Sequence, residues 1–332
     1  MSDRLRRMLL SPARPANLRG MVFLSGQRTI FPLYHVVSDK RLPHIDHLYS
    51  CRNQSEFERD LEEMLGIFEP LSMENYFEES ALHGRRRGMV LSFDDGLTEC
   101  HQVIAPLLKR KGIPALFFLN NRFIDNNGIF YRYKASILID RIMSDRNSLV
   151  SAAGYLDVPE NRVVGTLQLI SGHQQQLIDS LSAQLDLDFD EYLQSWPVYM
   201  NSEQVKELIK WGFDIGGHGF DHAEFAYMEM DEMVRQVRQS IEDLKERFGV
   251  KTAWFSFPFT SEGVPESVIR ELLDKQIAEA LFGTAGLKKT GLKRFIQRIP
   301  MEIIPRPAMD VLKAEYLYYL LKMPLGKNRL RY

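Results

Sequence analysis

Cysteine is scarce in this sequence, which has two, Cys51 and Cys100, among 332 residues. Neither belongs to a Cys-x-x-Cys pair, the spacing found in zinc ribbons and thiol redox sites. The sequence therefore excludes a small scaffold held together by disulfides, and both thiols are expected to be reduced. The rest of the composition, 45% hydrophobic and 26% charged, is that of a globular protein with a large core.

The chain also lacks an excess of charge of either sign. Its 42 Lys and Arg residues nearly balance its 44 Asp and Glu residues, and the formal net charge is −2. Proteins that bind DNA or RNA usually carry a strong basic excess on at least one surface. We therefore expect no nucleic-acid partner.

Long apolar runs are absent as well. No stretch approaches the roughly 20 apolar residues that a transmembrane helix needs, so no transmembrane segment is expected. Residues 1–28 are basic, and their only apolar piece, residues 8–10, is too short for a secretory signal. We interpret residues 1–28 as an N-terminal arm that can make a weak contact with a membrane surface, and we expect the protein to be cytoplasmic.

Short apolar strands alternate with amphipathic helices over residues 29–332. The predicted strands are 29–37, 89–93, 114–119, 213–216, 252–257, 278–282 and 295–299. This alternation is typical of an α/β fold, and about seven parallel strands suit a distorted or incomplete (β/α) barrel. Residues 120–200 show helical patterns and no convincing strand. We therefore predict one barrel domain, 29–332, with a helical insertion or lid at about 120–200.

Polar side chains follow two of the predicted strands. Asp94 and Asp95 come directly after one strand, in the stretch Ser-Phe-Asp-Asp-Gly. His218 and His222 follow another, and their spacing places both imidazoles on one face if the chain turns helically there. Active-site residues of parallel α/β folds collect at the carboxyl ends of the strands. We therefore expect these four side chains to lie together.

The simplest interpretation of the first motif is a turn, because Asp-Gly is a strong turn dipeptide. An open metal site explains the second carboxylate better. One carboxylate and two neutral imidazoles commonly bind Zn²⁺ or another divalent transition metal and leave a position for water. The second carboxylate can then act as the general base toward that water.

These motifs resemble those of the polysaccharide deacetylase superfamily, carbohydrate esterase family 4, whose fold is called the NodB-homology fold. The matching segments are SFDDG at 92–96 and HGFDH at 218–222, in the same order and at strand ends. The resemblance implies a distorted (β/α) barrel, a divalent metal that is usually zinc, and hydrolysis of an acetyl group on a carbohydrate. It assigns Asp95, His218 and His222 as metal ligands and Asp94 as the catalytic base.

Two departures from the family pattern leave roles to be filled. Ser256 stands where family members have an arginine that orients the base carboxylate, and Arg298, near the end of a later strand, is the candidate replacement. The family also has a late histidine that protonates the leaving group, but no histidine follows His222 in this chain. His35, near the end of the first strand, is the candidate substitute. Weaker candidates are His44, His47 and His101.

Three functions remain open from the sequence. The first is a metal-dependent hydrolase that removes an N- or O-acetyl group from a sugar or a polysaccharide precursor. The second, favoured by Ser256 and by the missing late histidine, is a hydrolase of another C–N amide bond in the same fold. The third is a catalytically silent barrel that binds a metal or a glycan within an assembly.

The expected partner is an acetylated carbohydrate. Without an export signal, a nucleotide sugar, a lipid-linked saccharide or an oligosaccharide precursor fits better than a finished wall polymer. Aromatic side chains near the predicted strand ends are candidates to stack on sugar rings, although aromatic residues in such numbers more often belong to the core. They are Tyr131, Trp254, Phe257 and Phe259.

Overall fold

The computed structural model describes residues 3–81, 87–302 and 305–330. The strands are β1 (Thr29–Ile30), β2 (Pro32–Tyr34), β3 (Glu69–Pro70), β4 (Gly88–Met89), β5 (Leu91–Phe93), β6 (Ala115–Leu119), β7 (Asp214–Gly217), β8 (Trp254–Ser256), β9 (Ala280–Gly283), β10 (Phe295–Gln297) and β11 (Ile299–Pro300).

The α-helices are α1 (Asp3–Ala13), α2 (Leu18–Ser25), α3 (Gln54–Leu65), α4 (Met73–Ala81), α5 (Ala105–Lys111), α6 (Tyr131–Ser144), α7 (Arg146–Leu156), α8 (Val163–Gln168), α9 (Gln175–Gln184), α10 (Phe189–Ser195), α11 (Ser202–Lys210), α12 (Met230–Phe248), α13 (Glu266–Asp274) and α14 (Ala308–Lys322). A π-helical turn, Cys100–Ile104, runs into α5. Short 3₁₀ turns lie at Asn121–Asn126, Glu160–Arg162, Gly172–Gln174, Phe225–Tyr227 and Met323–Leu325.

The main sheet has the order β10-β9-β8-β7-β6-β5-β2-β11, and every pairing in it is parallel. A single residue, Arg298, separates β10 from β11. The segment 295–300 therefore pairs with β9 along its first half and with β2 along its second half. This joins the two edges of the sheet into a nearly closed barrel of seven chain segments, which confirms the predicted distorted (β/α) barrel.

A smaller parallel sheet, β1-β4-β3, continues the barrel strands at their amino ends. Phe31 separates β1 from β2, and Val90 separates β4 from β5. The Val90 amide donates to the Ile30 carbonyl at 3.0 Å, so the ladder between these segments continues across the interruption. The predicted strand 29–37 is thus shorter than expected, and β3 is a strand that the sequence analysis did not predict.

The barrel interior is filled by side chains from alternate strand positions. Phe117 of β6 packs in the large cluster shared with the surrounding helices. Leu116 and Phe118, its neighbours, pack instead with Trp254 and Phe282 of the other barrel strands. Successive side chains of a strand point to opposite faces of the sheet. The second cluster is therefore the inside of the barrel, directly below the strand ends.

Residues 120–200 contain no strand, as predicted, and fold into helices α6 to α10. Their buried side chains, among them Ile139 and Leu181, form a cluster of their own with Val36 and Ile45 from the loop after β2. The helical region therefore packs on a loop that leaves the carboxyl end of a barrel strand. A role for this region as a lid stays a prediction.

Residues 1–28, the predicted arm, contribute α1 and α2. Leu18, Met21 and Val22 of α2 are buried in the large cluster, whereas Phe23 and Leu24 are 75% and 66% exposed. None of the helices in the described part of the chain combines the length and apolarity needed to cross a bilayer. The membrane contact of the arm and the cytoplasmic location stay predictions.

Candidate active site

The Asp-Asp-Gly motif forms a tight turn at the carboxyl end of β5. Asp95 has φ 74° and Gly96 has φ 72°, both in the left-handed region that residues other than glycine rarely adopt. A Cβ atom at position 96 would lie 3.0 Å from Leu119 Cδ2, a tight contact that this leucine side chain would have to relieve by a small shift. Asp94 and Asp95 are nonetheless both buried. The turn therefore holds two carboxylates at the barrel end, which confirms the turn and is compatible with a metal site there.

Asp95 lies against both predicted histidine ligands. Its Oδ1 is 3.1 Å from His222 Nε2 and 3.4 Å from His218 Nε2. One ligand atom from each of the three residues falls within 4.8 Å of the others. His218 Nδ1 donates to the Ser256 carbonyl at 2.8 Å, which fixes the ring and leaves Nε2 free to bind. Such a second hydrogen bond is typical of metal-binding histidines.

The electrostatics of this cluster suit a cation. Burial raises the pKa of Asp95, but the adjacent imidazoles of His222 and His218 outweigh burial and hold that pKa well below its usual value. Burial lowers the pKa of His222, so the neutral imidazole, the form that binds metals, prevails at neutral pH. Among the described residues no hydrogen bond reaches Asp95 Oδ1. A buried carboxylate oxygen that accepts no hydrogen bond from these residues and lies within 3.4 Å of two imidazole nitrogens fits a divalent metal.

Asp94 is held by an arginine that closes the barrel. Arg298, buried between β10 and β11, donates from Nη1 to Asp94 Oδ1 and from Nη2 to Asp94 Oδ2, both at 2.7 Å. It also donates to Ser92 Oγ at 3.1 Å and to Ser256 Oγ. Burial opposes ionisation of Asp94, but the Arg298 charge outweighs it and lowers the pKa of Asp94. The carboxylate is therefore ionised at neutral pH.

The position of Arg298 fits the replacement role that the sequence predicted for it. Ser256, at the family's arginine position, lies against the same carboxylate, with its Oγ 3.4 Å from Asp94 Oδ2. The Arg298 guanidinium lies over the rings of Phe118 and Phe282 at the top of the barrel interior. A small side chain at 256 leaves room for a guanidinium that arrives from the neighbouring end of the sheet.

His35 is paired with a carboxylate that the sequence analysis missed. Its Nδ1 lies 2.6 Å from Glu302 Oε2. The backbone amides of His35 and Val36 donate to the two oxygens of Glu302 at 2.8 and 3.1 Å. Burial lowers the pKa of His35, but Glu302 outweighs it and raises this pKa to about 9. The signal for Glu302 was available, because it follows β11 at the carboxyl end of a barrel strand.

The helical region contributes Tyr133 to the site. The Tyr133 hydroxyl, on α6, donates to Asp95 Oδ2, the oxygen that does not face the imidazoles. Tyr49 lies next to it, with the two hydroxyl oxygens 3.5 Å apart. Nothing in the local sequence of α6 marks Tyr133, because its partner is brought to it only by the packing of α6 over the barrel.

One cavity of about 1000 Å³ joins these groups. Of the six residues predicted to act in catalysis or metal binding, five line its wall and Arg298 lies behind Asp94; the five are His35, Asp94, Asp95, His218 and His222. Phe130, Tyr49 and the predicted Phe257 and Phe259 also line it. The rings of Phe130 and Phe259 pack on His222, with ring centroids 4.3 and 4.7 Å away. The cavity thus has one polar floor and aromatic sides.

The remaining sequence candidates lie elsewhere. Trp254 is buried inside the barrel. Tyr131 does not line the cavity, and its hydroxyl donates to Glu224 Oε1 at a distance of 2.8 Å. The three weaker histidine candidates have other partners: His44 contacts the Tyr192 hydroxyl, His47 lies 3.6 Å from Asp140, and His101 lies 2.6 Å from Glu207. Each is held by groups outside the site.

The chain resembles a known family in sequence and several solved structures in fold. The sequence model of the polysaccharide deacetylase family matches residues 83–276, more than half of the chain, and this match includes both motifs. Among curated protein sequences, none matches this chain closely enough to count as a relative.

Several solved structures share the fold. IcaB from Ammonifex degensii is 16% identical, with a TM-score of 0.53 over 87% of this chain and 96% of its own. Deacetylase PplD from Streptococcus pyogenes is 13% identical, with a TM-score of 0.55 over 86% of this chain and 97% of its own. BC0361, a polysaccharide deacetylase from Bacillus cereus, is 11% identical, with a TM-score of 0.52 over 86% of this chain and 68% of its own.

Proposed function

Because the chain belongs to the polysaccharide deacetylase family, we propose that it is a metal-dependent hydrolase that removes an N- or O-acetyl group from a sugar or a polysaccharide precursor. One observation carries the proposal. The ligand atoms of Asp95, His218 and His222 converge within 4.8 Å in a cavity whose wall also holds the ionised carboxylate of Asp94.

We propose that Asp95, His218 and His222 hold a divalent cation, with zinc the first candidate because two imidazoles and a carboxylate suit it. When bound, such a cation polarises the acyl carbonyl and stabilises negative charge on its oxygen. Neighbouring residues orient two of the proposed metal-binding side chains. Ser256 fixes the His218 ring through its carbonyl, and Tyr133 binds the second oxygen of Asp95.

Asp94 is the proposed general base. Its ion pair with Arg298 keeps it ionised and fixes the plane of the carboxylate. Asp94 Oδ2 lies 3.6 Å from His218 Nε2, beside the proposed metal ligands. The carboxylate can therefore accept a proton from a water molecule that attacks the acyl carbon in this part of the cavity.

His35 is the proposed general acid. Its pKa of about 9 keeps the imidazole protonated at neutral pH, and Glu302 sets its orientation through Nδ1. The other ring nitrogen, Nε2, is then the atom that delivers a proton to the departing amine or hydroxyl of the sugar. The base would take a proton from the water as it adds to the acyl carbon, and the acid would protonate the leaving nitrogen or oxygen as its bond to that carbon breaks.

Hydrolysis of a different amide and a catalytically silent barrel were favoured by two gaps in the family pattern. Arg298 contacts the carboxylate that the family's arginine serves, and His35 on the cavity wall has a carboxylate partner. These contacts support the proposed roles of Arg298 and His35, and we therefore propose deacetylation ahead of the two alternatives.

Acetate release tests the proposal. The purified protein, loaded with zinc, cobalt or nickel in turn, is incubated with acetylated mono- and oligosaccharides and with their formyl and propionyl analogues. We expect metal-dependent acetate release from at least one acetylated sugar. Metal-dependent release of another acyl group alone would favour the second function. Glycan binding without release of any acyl group would favour the silent barrel.

A further inference from the structure

The wall of the cavity beyond the catalytic groups is basic. Lys288 in the loop after β9, Lys322 at the end of α14, and Lys327 and Arg329 in the segment that follows all line it. Glu262 is the one acidic side chain that the described residues add to this wall besides Asp94 and Asp95. A neutral sugar carries no negative charge that could pair with these cations.

These cations have no carboxylate partners in the described part of the chain. Lys288, Lys327 and Arg329 make no ion pair there, and the Lys322 ammonium lies over the Tyr318 ring at 5.6 Å. Cations elsewhere on the surface are commonly paired within their own helix, as Arg270 is with Glu266. The charges on the cavity wall are therefore available to a ligand.

The sequence concentrates positive charge in this region. Residues 286–332 contain eleven Lys and Arg residues and three Asp and Glu residues, although the whole chain carries a formal charge of −2. Two of the three acids are already used, since Glu302 binds His35 and Asp310 lies 3.5 Å from Arg14. Arg298 is likewise used, by Asp94, but the four cations on the cavity wall outnumber Glu262 there, so this side of the cavity should attract anions.

We propose that the substrate is an acylated saccharide that carries a phosphate or diphosphate group, and that Lys288, Lys327 and Arg329 bind this group while the acyl group lies at Asp94 and Asp95. The proposal rests on the proposed function and adds the substrate class. Arginine binds phosphate through two parallel N–H donors, and lysine adds a point charge. Several cations in one cavity suit an anion of more than one charge.

A phosphate-bearing saccharide has two common sources, a nucleoside diphosphate carrier and a lipid diphosphate carrier. The chain offers apolar side chains next to the basic wall, since Leu321 and Leu325 are 56% and 62% exposed on either side of Lys322. These side chains are a surface for a lipid tail. Both carriers present a phosphate or diphosphate group to the basic wall, and the experiments below distinguish them.

Binding is the first test, because it does not require turnover. The affinity of the full-length protein is measured by titration calorimetry for N-acetylglucosamine 1-phosphate and for the methyl glycoside of N-acetylglucosamine. We expect the phosphate-bearing ligand to bind at least about tenfold more tightly at low salt, and the preference to shrink as salt rises. Equal affinities at low salt would overturn the proposal.

Variants locate the preference on the wall. In Lys288→Gln/Arg329→Gln the ratio of the two affinities is expected to fall close to one. The matched control, Lys245→Gln/Lys251→Gln, removes the same charge from exposed positions that do not line the cavity, and it should keep the preference. Thermal melts check that both variants fold. A preference that persists in the Lys288 and Arg329 variant would place phosphate binding elsewhere and refute the assignment.

Turnover separates this inference from the proposed function. Acetate release at equal kcat/KM from the phosphate-bearing and neutral sugars would overturn the substrate class and leave the deacetylase proposal standing. Phosphate-dependent binding at the wall without acyl release from any ligand would overturn the deacetylase proposal and leave phosphate binding at the wall standing. Uridine-diphosphate-linked and short polyprenyl-diphosphate-linked N-acetylglucosamine then identify the carrier, since tighter binding of either one supports the proposal.

Discussion

Arg298 and Asp94 form a two-pronged ion pair across the closing edge of the barrel, although 204 residues separate them in sequence. Both side chains are buried, and each guanidinium nitrogen in the pair lies 2.7 Å from one carboxylate oxygen. A buried pair with this geometry keeps the carboxylate charged and fixed in direction. Arg298, the residue that joins β10 to β11, thus keeps the proposed general base ionised and fixes its orientation.

Removal of the Arg298 charge should damage both activity and stability. In Arg298→Gln the buried Asp94 carboxylate loses its partner, and breaking a buried pair in this way costs about 3–5 kcal/mol of unfolding free energy. We expect kcat/KM to fall about 100-fold or more, since the base also loses its orientation. Arg298→Lys keeps the charge without the planar fork and should be intermediate. Denaturant unfolding and acetate release measure the two effects.

A swap variant tests whether the position of the guanidinium matters. Ser256→Arg/Arg298→Ser moves the arginine to the family's usual position, beside the same carboxylate. We expect it to regain part of the activity that Arg298→Gln loses. Full activity and stability in Arg298→Gln itself would show that Asp94 does not depend on this pair.

Mutations of the proposed metal ligands and of the proposed base should have different effects on metal content and turnover. Asp95→Ala or His218→Ala removes a ligand and should abolish stoichiometric metal, measured by elemental analysis of the purified protein. Asp94→Asn is isosteric and keeps the turn, so it should retain metal while acetate release falls by about 10²–10⁴. Loss of metal from Asp94→Asn, or full activity in it, would show that the two aspartates were assigned the wrong way round or that neither is the base.

Much of the site could be predicted because it lies at strand ends. Asp94, Asp95, His218 and His222 directly follow strands that the hydrophobic pattern reveals, and parallel strands bring their carboxyl ends together. The barrel could be predicted for the same reason. Its closure could not, because β10 and β11 look like one strand in the sequence, and only the structure shows that the segment changes partners at Arg298.

Other features have no local signal. Tyr133 contacts Asp95 only because α6 packs over the barrel, and no periodicity within a helix encodes such a contact. The strand β3 is two residues long, too short to show an alternating pattern. Glu302 has such a signal, because it follows the last predicted strand just as Asp94 and His218 follow theirs.

The pairing of His35 with Glu302 predicts the alkaline limit of activity. A raised pKa means that the protonated imidazole persists until the pH approaches about 9, so kcat/KM should fall as pH rises through that value. In Glu302→Gln the carboxylate that raises the His35 pKa is lost, and this pKa should drop toward 6.5. The alkaline limb of the pH–rate profile, where kcat/KM falls, should then move down by about two pH units. Glutamine has a single acceptor oxygen, so it can keep only one of the two hydrogen bonds from the backbone amides of His35 and Val36.

The pH–rate profiles of the wild type and Glu302→Gln measure this displacement directly. His35→Gln serves as the control, because it should be slow and should lack the limb altogether. An alkaline limb that stays in place in Glu302→Gln would assign it to another group, and His35 would no longer be the general acid.

Tyr133 should tune the affinity of the proposed metal site without taking part in the reaction. Its hydroxyl binds the Asp95 oxygen that faces away from the imidazoles, and so fixes the carboxylate with Oδ1 toward them. In Tyr133→Phe the ring keeps its packing but this hydrogen bond is lost. Loss of such a partner typically weakens metal binding about 10- to 100-fold. Competition with a chromophoric chelator measures the metal affinity independently of turnover.

The control for this change is Tyr316→Phe, which removes a buried hydroxyl that donates to the Gln27 carbonyl at 2.7 Å, far from the ligands in the fold. Both variants lose one buried hydrogen bond: we expect Tyr316→Phe to lose about 1 kcal/mol of stability and Tyr133→Phe, whose partner is a carboxylate, about 1.5–3 kcal/mol. Only Tyr133→Phe should lose metal affinity, because only its hydroxyl contacts a ligand. Equal metal affinities in the two variants would mean that Asp95 is oriented by the turn at Gly96 alone and that α6 covers the site without adjusting it.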